Sequence, residues 1–135
     1  MAYTKEQIEE MKDIMLSYLT IGMSDVGFAV VNFEDKEEGI TPETAYMEYL
    51  GHHQGMKFFD ISYDAVLAEY PNEFKRMLAH ELVHVMQVLR RDKFDYSVPY
   101  AEQLHEVEAY NREDEIVDQY EKVMKFRALQ KKLKL

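Results

Sequence analysis

Two histidines and a glutamate stand close together in one segment of the chain, MLAHELVHVMQ. His80 and His84 are four residues apart, and Glu81 directly follows the first of them. On a helix, residues at this spacing lie about 40° apart around the axis, so both imidazoles leave from the same face. Two imidazoles so placed can bind one zinc ion, and the neighbouring carboxylate can accept a proton from a water on that metal. The pattern HExxH is therefore typical of a catalytic zinc site.

The sequence around this motif predicts the helix that the geometry requires. Pro71 and Asn72 are typical of a helix start. Apolar residues then recur at helical spacing and form one stripe, made of Phe74, Leu78, Leu82, Val85 and Leu89. The histidines fall on the opposite face, so we expect them to look into a cleft, together with Met77, Gln87 and Arg91. The alternative is a pair of polar residues on an exposed helix face, and the position of the motif inside a strongly periodic helix favours the metal site.

The rest of the chain predicts a single α+β domain across residues 1–135. Thr4 and Gln7 form a capping box before an amphipathic helix of residues 5–20, which ends near Gly22. Three apolar segments indicate strands, at residues 26–33, 45–51 and 56–62. A long last helix, acidic in its first half, begins near residue 100. We expect a small twisted sheet of about three strands backed by the N-terminal helix, with the HExxH helix under the sheet and the C-terminal helix closing the other side.

Composition limits the classes of function that are plausible. The chain has no cysteine, which excludes disulfides, zinc ribbons and thiol nucleophiles. Its formal net charge of −10 repels nucleic acid, so we expect no nucleic-acid partner. The polar N-terminus does not resemble a signal peptide, and no apolar run approaches membrane-spanning length. These features favour a cytoplasmic protein without a membrane partner, and they do not indicate an oligomeric state.

A catalytic zinc site needs a third protein ligand, and the downstream segment AEQLHEVEAYNRE offers Glu102, His105, Glu106 and Glu108. Glu-Ala on a helix downstream of HELVHVMQ resembles the gluzincins, the thermolysin-like metallopeptidases. The likeness is greatest to their minimal bacterial and phage domains, whereas SprT-like and ImmA/IrrE-like peptidases share the motif alone. The resemblance implies a Zn²⁺ cofactor, a protein or peptide substrate, Glu81 as general base and Glu108 as third ligand. It is also compatible with a viral origin.

The identity of the third ligand depends on which face of the last helix turns inward. We expect Leu104 and Val107 to pack inward, which turns Glu108 toward the cleft. Glu106 is the main competitor. It lies two residues away, about 200° around the helix, so only one of the two glutamates can face the metal.

Several other residues are candidates for supporting roles. Many gluzincins place an aspartate four residues after the third ligand, to orient the first histidine, but Arg112 stands at that position here. Asn111 and Glu115 are possible substitutes. Three residues that share the helix of Glu108 could stabilise a tetrahedral oxyanion, namely His105, Tyr110 and Arg112. We expect Tyr100 to pack against the protein, and we interpret His52 and His53 as loop residues in the turn GHHQG.

Two other classes of function compete with the peptidase. The protein could hold zinc without cleaving a substrate, as a structural or regulatory component of a phage particle or toxin assembly. It could also be an acidic mimic of DNA, although a mimic has no use for Glu81 between two histidines. The basic end, KVMKFRALQKKLKL, favours a solvated helix terminus over a docking tail for an acidic partner or nucleic acid.

Overall fold

The computed structural model describes residues 3–23, 28–36 and 45–133, and it confirms the α+β fold. Within these ranges the elements follow in the order α1 (Lys5–Leu19), β1 (Phe28–Lys36), β2 (Tyr46–His53), β3 (Met56–Asp64), α2 (Pro71–Leu89) and α3 (Leu104–Leu133). Short 3₁₀ turns precede α2 and α3, at Ala65–Glu69 and Tyr100–Glu102. Part of the strand predicted at residues 26–33 and much of the polar loop after it lie outside the described residues. Among the described residues, none of the helices combines the length and apolar character needed to cross a bilayer.

Helix α1 begins and ends close to the predicted residues. The Thr4 hydroxyl accepts a hydrogen bond from the backbone N–H of Gln7 at 3.1 Å. The Gln7 side chain accepts one from the Thr4 N–H at 2.8 Å, which confirms the capping box. Beyond the helix end, Gly22 adopts a φ of +78°, a conformation that favours glycine. The helix packs mainly against α2 and α3 rather than backing the sheet directly.

The sheet has the strand order β1-β3-β2, with β1 parallel and β2 antiparallel to β3. Strand β2 is therefore an edge strand of the described sheet. A two-residue turn joins β2 to β3, with left-handed φ angles of 51° at Gln54 and 80° at Gly55, as tight hairpins require. The interpretation of His52 and His53 as loop residues was wrong, because both extend β2 and pair with Lys57 and Met56. Both histidines are exposed.

Helix α2 is the centre of the core and is buried on two faces. The predicted apolar stripe is confirmed, since Phe74, Leu78, Leu82, Val85 and Leu89 are all at most 5% exposed. The opposite face is buried as well, because α3 covers it. Helix α3 runs antiparallel to α2, with Lys75 paired to Glu121 near one end and His84 in contact with Glu106 near the other. This antiparallel pair brings the HExxH motif against the first turns of α3.

Candidate metal centre

The two histidines of the motif converge on one carboxylate oxygen. The Nε2 atoms of His80 and His84 lie 2.9 and 3.0 Å from Oε1 of Glu106. The three ligand atoms all lie within 4.8 Å of one another, and the histidines are 8% and 9% exposed. Two imidazoles and a carboxylate form a donor set that zinc binds in proteins. The geometry therefore assembles the ligands that a three-residue zinc site requires.

The structure contradicts the expectation that Glu108 faces the histidines. Its carboxylate accepts hydrogen bonds from Gln87 Nε2 at 2.9 Å and from Arg90 Nη2 at 2.7 Å, away from the Nε2 atoms of the two histidines. The expectation assumed that Leu104 and Val107 pack inward, but they are 83% and 36% exposed. The residues of α3 that are buried are Ala109, Ile116 and Tyr120. That register turns Glu106 toward the cleft and Glu108 away from it.

The Nδ1 atom of each histidine, which points away from Glu106, lies within hydrogen-bond distance of an acceptor side chain. His80 Nδ1 lies 2.8 Å from Oε2 of Glu113, and His84 Nδ1 lies 2.8 Å from Oε1 of Gln87. Gln87 is fully buried, and its Nε2 donates to the His105 carbonyl and to Glu108, both at 2.9 Å. The amide is therefore oriented with its oxygen toward His84. Such contacts fix the tautomer of a ligating histidine and raise its basicity.

Glu113, the partner of His80, was not predicted from the sequence. Asn111 is exposed, and Arg112 and Glu115 pair with each other at 2.8 Å on the side of α3 that meets Tyr18 of α1. The spacing of Glu106 and Glu113 in the sequence could have indicated this partner. Seven residues are about two helical turns, so Glu113 lies on the same face of α3 as Glu106.

The hydrogen-bond pattern calls for positive charge between the histidines and Glu106. With its Nδ1 proton directed at Gln87, a neutral His84 turns the lone pair of Nε2 toward the Glu106 carboxylate. The same holds for His80 when its Nδ1 donates to the carboxylate of Glu113. Lone pairs facing a carboxylate oxygen repel unless a proton or a metal cation lies between them. A divalent cation satisfies all three groups at once.

The two histidines differ in how readily they supply that charge as a proton. Burial lowers the pKa of His80, but the carboxylates of Glu113, Glu81 and Glu106 outweigh burial, so its pKa is raised overall. Burial also lowers the pKa of His84, whose outer partner is the neutral Gln87, and here the net shift is downward. A neutral His84 keeps its Nε2 lone pair for a metal, which is the state that a zinc ligand needs.

Glu81 lies beside His80, His84 and Glu106, and the pKa of its carboxyl group is unusually high. Its side chain is 5% exposed, and the backbone N–H of Met47 on strand β2 donates to its carboxyl group. Burial raises the pKa of Glu81 to about 8, the positive charge of His80 opposes that shift, and the carboxylate of Glu106 adds to it. A buried carboxyl group whose pKa lies near neutrality is suited to general acid–base chemistry.

An open cleft with a volume of about 350 Å³ exposes the ligands and Glu81 to solvent. Residues Ala45, Tyr46 and Met47 of the edge-strand side form one wall. The opposite wall is aromatic: the ring of His105 lies 4.9 Å from that of Phe94 and 5.3 Å from that of Tyr96. A second cavity, of about 270 Å³, shares Tyr100, His80 and Glu81 with the first. Two cavities therefore border the first histidine and the glutamate of the motif.

Tyr100 and Tyr110 form a pair of phenols above the site. Their hydroxyl oxygens are 3.2 Å apart, and the ring of Tyr110 packs edge-on against His80 at 4.5 Å. The expectation that Tyr100 packs against the protein was wrong, because the side chain is 55% exposed and borders both cavities. Burial of its hydroxyl, its bond to Tyr110 and the charge of Glu106 raise the pKa of Tyr100, so it remains a proton donor.

The role of Gln87 can be tested by its effect on zinc affinity. We expect Gln87→Leu to weaken zinc binding by roughly 10- to 100-fold, because His84 loses the acceptor that fixes its tautomer. Affinity would be measured by competition with a chromophoric chelator. Gln87→Asn alters the packing but keeps an amide oxygen. A zinc affinity higher in Gln87→Asn than in Gln87→Leu would therefore show that the hydrogen bond to His84 matters and not the packing alone. An unchanged affinity in Gln87→Leu would contradict the assignment.

Comparison of the chain with protein-family models, with curated proteins and with solved structures gave no significant match.

Proposed function

We propose that the protein is a zinc-dependent metallopeptidase, with His80, His84 and Glu106 as the metal ligands. The observation that carries the proposal is the convergence of both Nε2 atoms on one oxygen of Glu106, while both Nδ1 atoms are held from behind. When bound there, zinc would supply a Lewis acid that activates water at neutral pH and polarises a peptide carbonyl. Three protein ligands leave a coordination position open, as catalytic zinc sites do and structural ones do not.

Glu81 is the residue placed to move protons in this reaction. It is adjacent to His80 in sequence, is buried beside the ligands and borders both cavities. In the proposed hydrolysis the Glu81 carboxylate accepts a proton from the attacking water and delivers it to the leaving amine. A nearby cation lowers the pKa of a carboxyl group, so metal binding would favour the ionised form that a base needs.

Tyr100 is better placed than the other residues considered to stabilise the oxyanion. Its side chain borders both cavities, and its hydroxyl lies 3.2 Å from the Tyr110 hydroxyl, which can orient it. His105 is less suitable, because its ring packs edge-on or tilted against the rings of Phe94, Tyr96 and His84. Arg112 is directed toward Glu115. Tyr110 acts on the site through its contacts with His80 and Tyr100.

An extended peptide substrate fits the walls of the cleft. Strand β2 is an edge of the described sheet, and the residues at its start line the cleft beside Glu81. A peptide can add to such an edge through backbone hydrogen bonds, which leaves sequence preference to side-chain contacts. Because two cavities border His80 and Glu81, there is room for substrate beyond a single terminal residue, which supports cleavage within a chain.

Metal removal tests the proposal directly. The purified protein should contain about one zinc per chain and should cleave at least one member of a mixed peptide library, read by mass spectrometry. Treatment with a strong chelator should abolish cleavage, and stoichiometric zinc should restore it, because the three ligands hold an exchangeable ion.

The competing function is a zinc protein that cleaves nothing. That function would be supported if zinc were bound at one per chain while no peptide or unfolded protein were cleaved. Binding of no zinc at all would contradict both functions.

A further inference from the structure

The last turns of α3 carry a stripe of exposed apolar side chains. Phe126, Leu129 and Leu133 are 59%, 52% and 57% exposed. Their spacing, three and then four residues, places them on one face of the helix. Large apolar residues exposed singly are ordinary, but three in line form a continuous surface.

Basic residues border this stripe. Residues 122–133 contain five basic side chains and no acidic one: Lys122, Lys125, Arg127, Lys131 and Lys132. Arg127 pairs with Glu10 of α1 at 2.8 Å. No ion pair with another described residue accounts for the four lysines. At about 100° per residue, Lys125 and Lys132 lie on the side of the stripe away from Arg127, and thus away from α1, while Lys122 lies in line with the stripe, one turn before Phe126.

The surroundings decide which kind of partner can reach this surface. The remaining positions of the chain carry all 26 acidic residues and only 11 of the 16 basic ones. Glu6, Glu9, Glu10 and Asp13 of α1 lie next to Arg127, on the neighbouring face. A bilayer or nucleic acid presents negative charge over a wide area and would meet these carboxylates as well. A single protein segment can contact the stripe and the lysines alone.

We propose that the stripe of Phe126, Leu129 and Leu133, with its lysine flank, binds an acidic amphipathic helix of a partner protein. The partner's apolar side chains pack on the stripe, and its carboxylates pair with Lys122, Lys125 and Lys132. This is the helix-on-helix mode, in which apolar anchors supply affinity and flanking charges set partner choice. The surface lies about 30 Å along α3 from Glu106, at about 1.5 Å per residue, so a bound helix leaves the cleft open. The inference does not depend on the proposed peptidase activity.

The test uses the full chain and a defined probe. The probe is a fluorescein-labelled helical peptide of about 20 residues, with leucines on one face, glutamates flanking them and alanines elsewhere. We expect it to bind with micromolar affinity by fluorescence anisotropy, and to bind more weakly as salt rises. The double variant Lys122→Glu/Lys125→Glu should weaken binding at least about 10-fold, because like charges then face each other. The matched control, Lys57→Glu/Lys93→Glu, makes the same change in net charge elsewhere and should leave binding unchanged.

Further variants and measurements distinguish an acidic partner helix from other molecules that could bind this surface. Phe126→Ser/Leu129→Ser should weaken binding of the acidic peptide, and a peptide with lysines in place of the glutamates should not bind. Equal binding of both peptides, or no loss in either tail variant, would overturn the proposal, as would failure of the acidic peptide to bind at millimolar concentration. Two other results would replace the partner helix by a different occupant. One is a dimer, seen by sedimentation, that the tail variants dissociate, and the other is tail-dependent binding to phosphatidylserine vesicles.

Discussion

The variant Glu81→Gln is expected to lose at least about 10²- to 10⁴-fold in kcat on any peptide that the wild type cleaves, while it keeps one zinc per chain. Glutamine retains the size of the side chain and can still accept the hydrogen bond from the Met47 N–H, so the local packing is preserved. It cannot take a proton from water at neutral pH. Single-turnover kinetics and metal analysis on the same preparation would measure both effects.

The same variant has a second signature when the metal is removed. Burial raises the pKa of Glu81 from its ordinary value of 4.5 to about 8, so the folded state holds a proton that the unfolded chain releases between these two pH values. The contribution of Glu81 to the free energy of unfolding of the metal-free wild type should therefore fall as pH rises from 4.5 to 8. Glutamine does not titrate, so this contribution is absent in Glu81→Gln.

Denaturant unfolding at several pH values checks the second signature. The metal-free variant should become more stable than the wild type as pH rises, at up to about 1.4 kcal/mol per pH unit across that window. Parallel pH profiles for the two proteins would show that the pKa of Glu81 is the same in the folded and unfolded chain, and hence that burial does not raise it. Full peptidase activity in Glu81→Gln would show instead that another group is the base.

The fold was accessible from the sequence because its signals are local. The capping box of Thr4 and Gln7 and the apolar stripe of α2 act within single elements, and both were confirmed. The hairpin shows the limit of this approach. Glycines on either side of two histidines indicated a wide turn, but Gln54 accepts a left-handed φ of 51°, and the turn needs only two residues.

The residues of the candidate site also differ in how far the sequence alone predicts their positions. His80, Glu81 and His84 are set by the geometry of one helix, which the sequence specifies. The proposed third ligand, Glu106, depends on the rotation of α3 against α2, a tertiary property. Helix α3 has little amphipathic character to indicate that rotation, since apolar residues such as Leu104 and Tyr110 are exposed and charged residues such as Glu106 and Glu113 face the core side.

Physical chemistry explains why α3 breaks the usual pattern. A buried carboxylate is costly unless it is paired, so Glu106 and Glu113 can lie inward only because the histidines of α2 receive them. The apolar pattern of α3 therefore understates its buried face, and the inward position of its glutamates could not be inferred without α2. Acidic residues at helical spacing can indicate a helix that packs against the polar face of an HExxH helix. This prediction is possible only when the sequences of both helices are compared.

The substitution Glu106→Ala is expected to abolish tight zinc binding, whereas Glu108→Ala should leave it nearly intact. Glu106 Oε1 contacts the Nε2 atoms of both histidines, so its removal leaves two ligands, and the loss of affinity should exceed the roughly 10- to 100-fold cost of removing a residue behind a ligand. Glu108 is a matched control, because it is the same residue type two positions away on α3. Its loss leaves Gln87 with the His105 carbonyl and Arg90 with Asp92.

Zinc affinity by chelator competition, and thermal stability with and without zinc, would be measured for both variants. Because the ligand joins α2 to α3, the stabilisation that zinc gives the wild type should disappear in Glu106→Ala and persist in Glu108→Ala. The opposite result would require α3 to turn by about 160° about its axis, which would expose Ala109, Ile116 and Tyr120 and bury Leu104. Zinc retained in both variants would exclude both glutamates and make His105 the next ligand to replace.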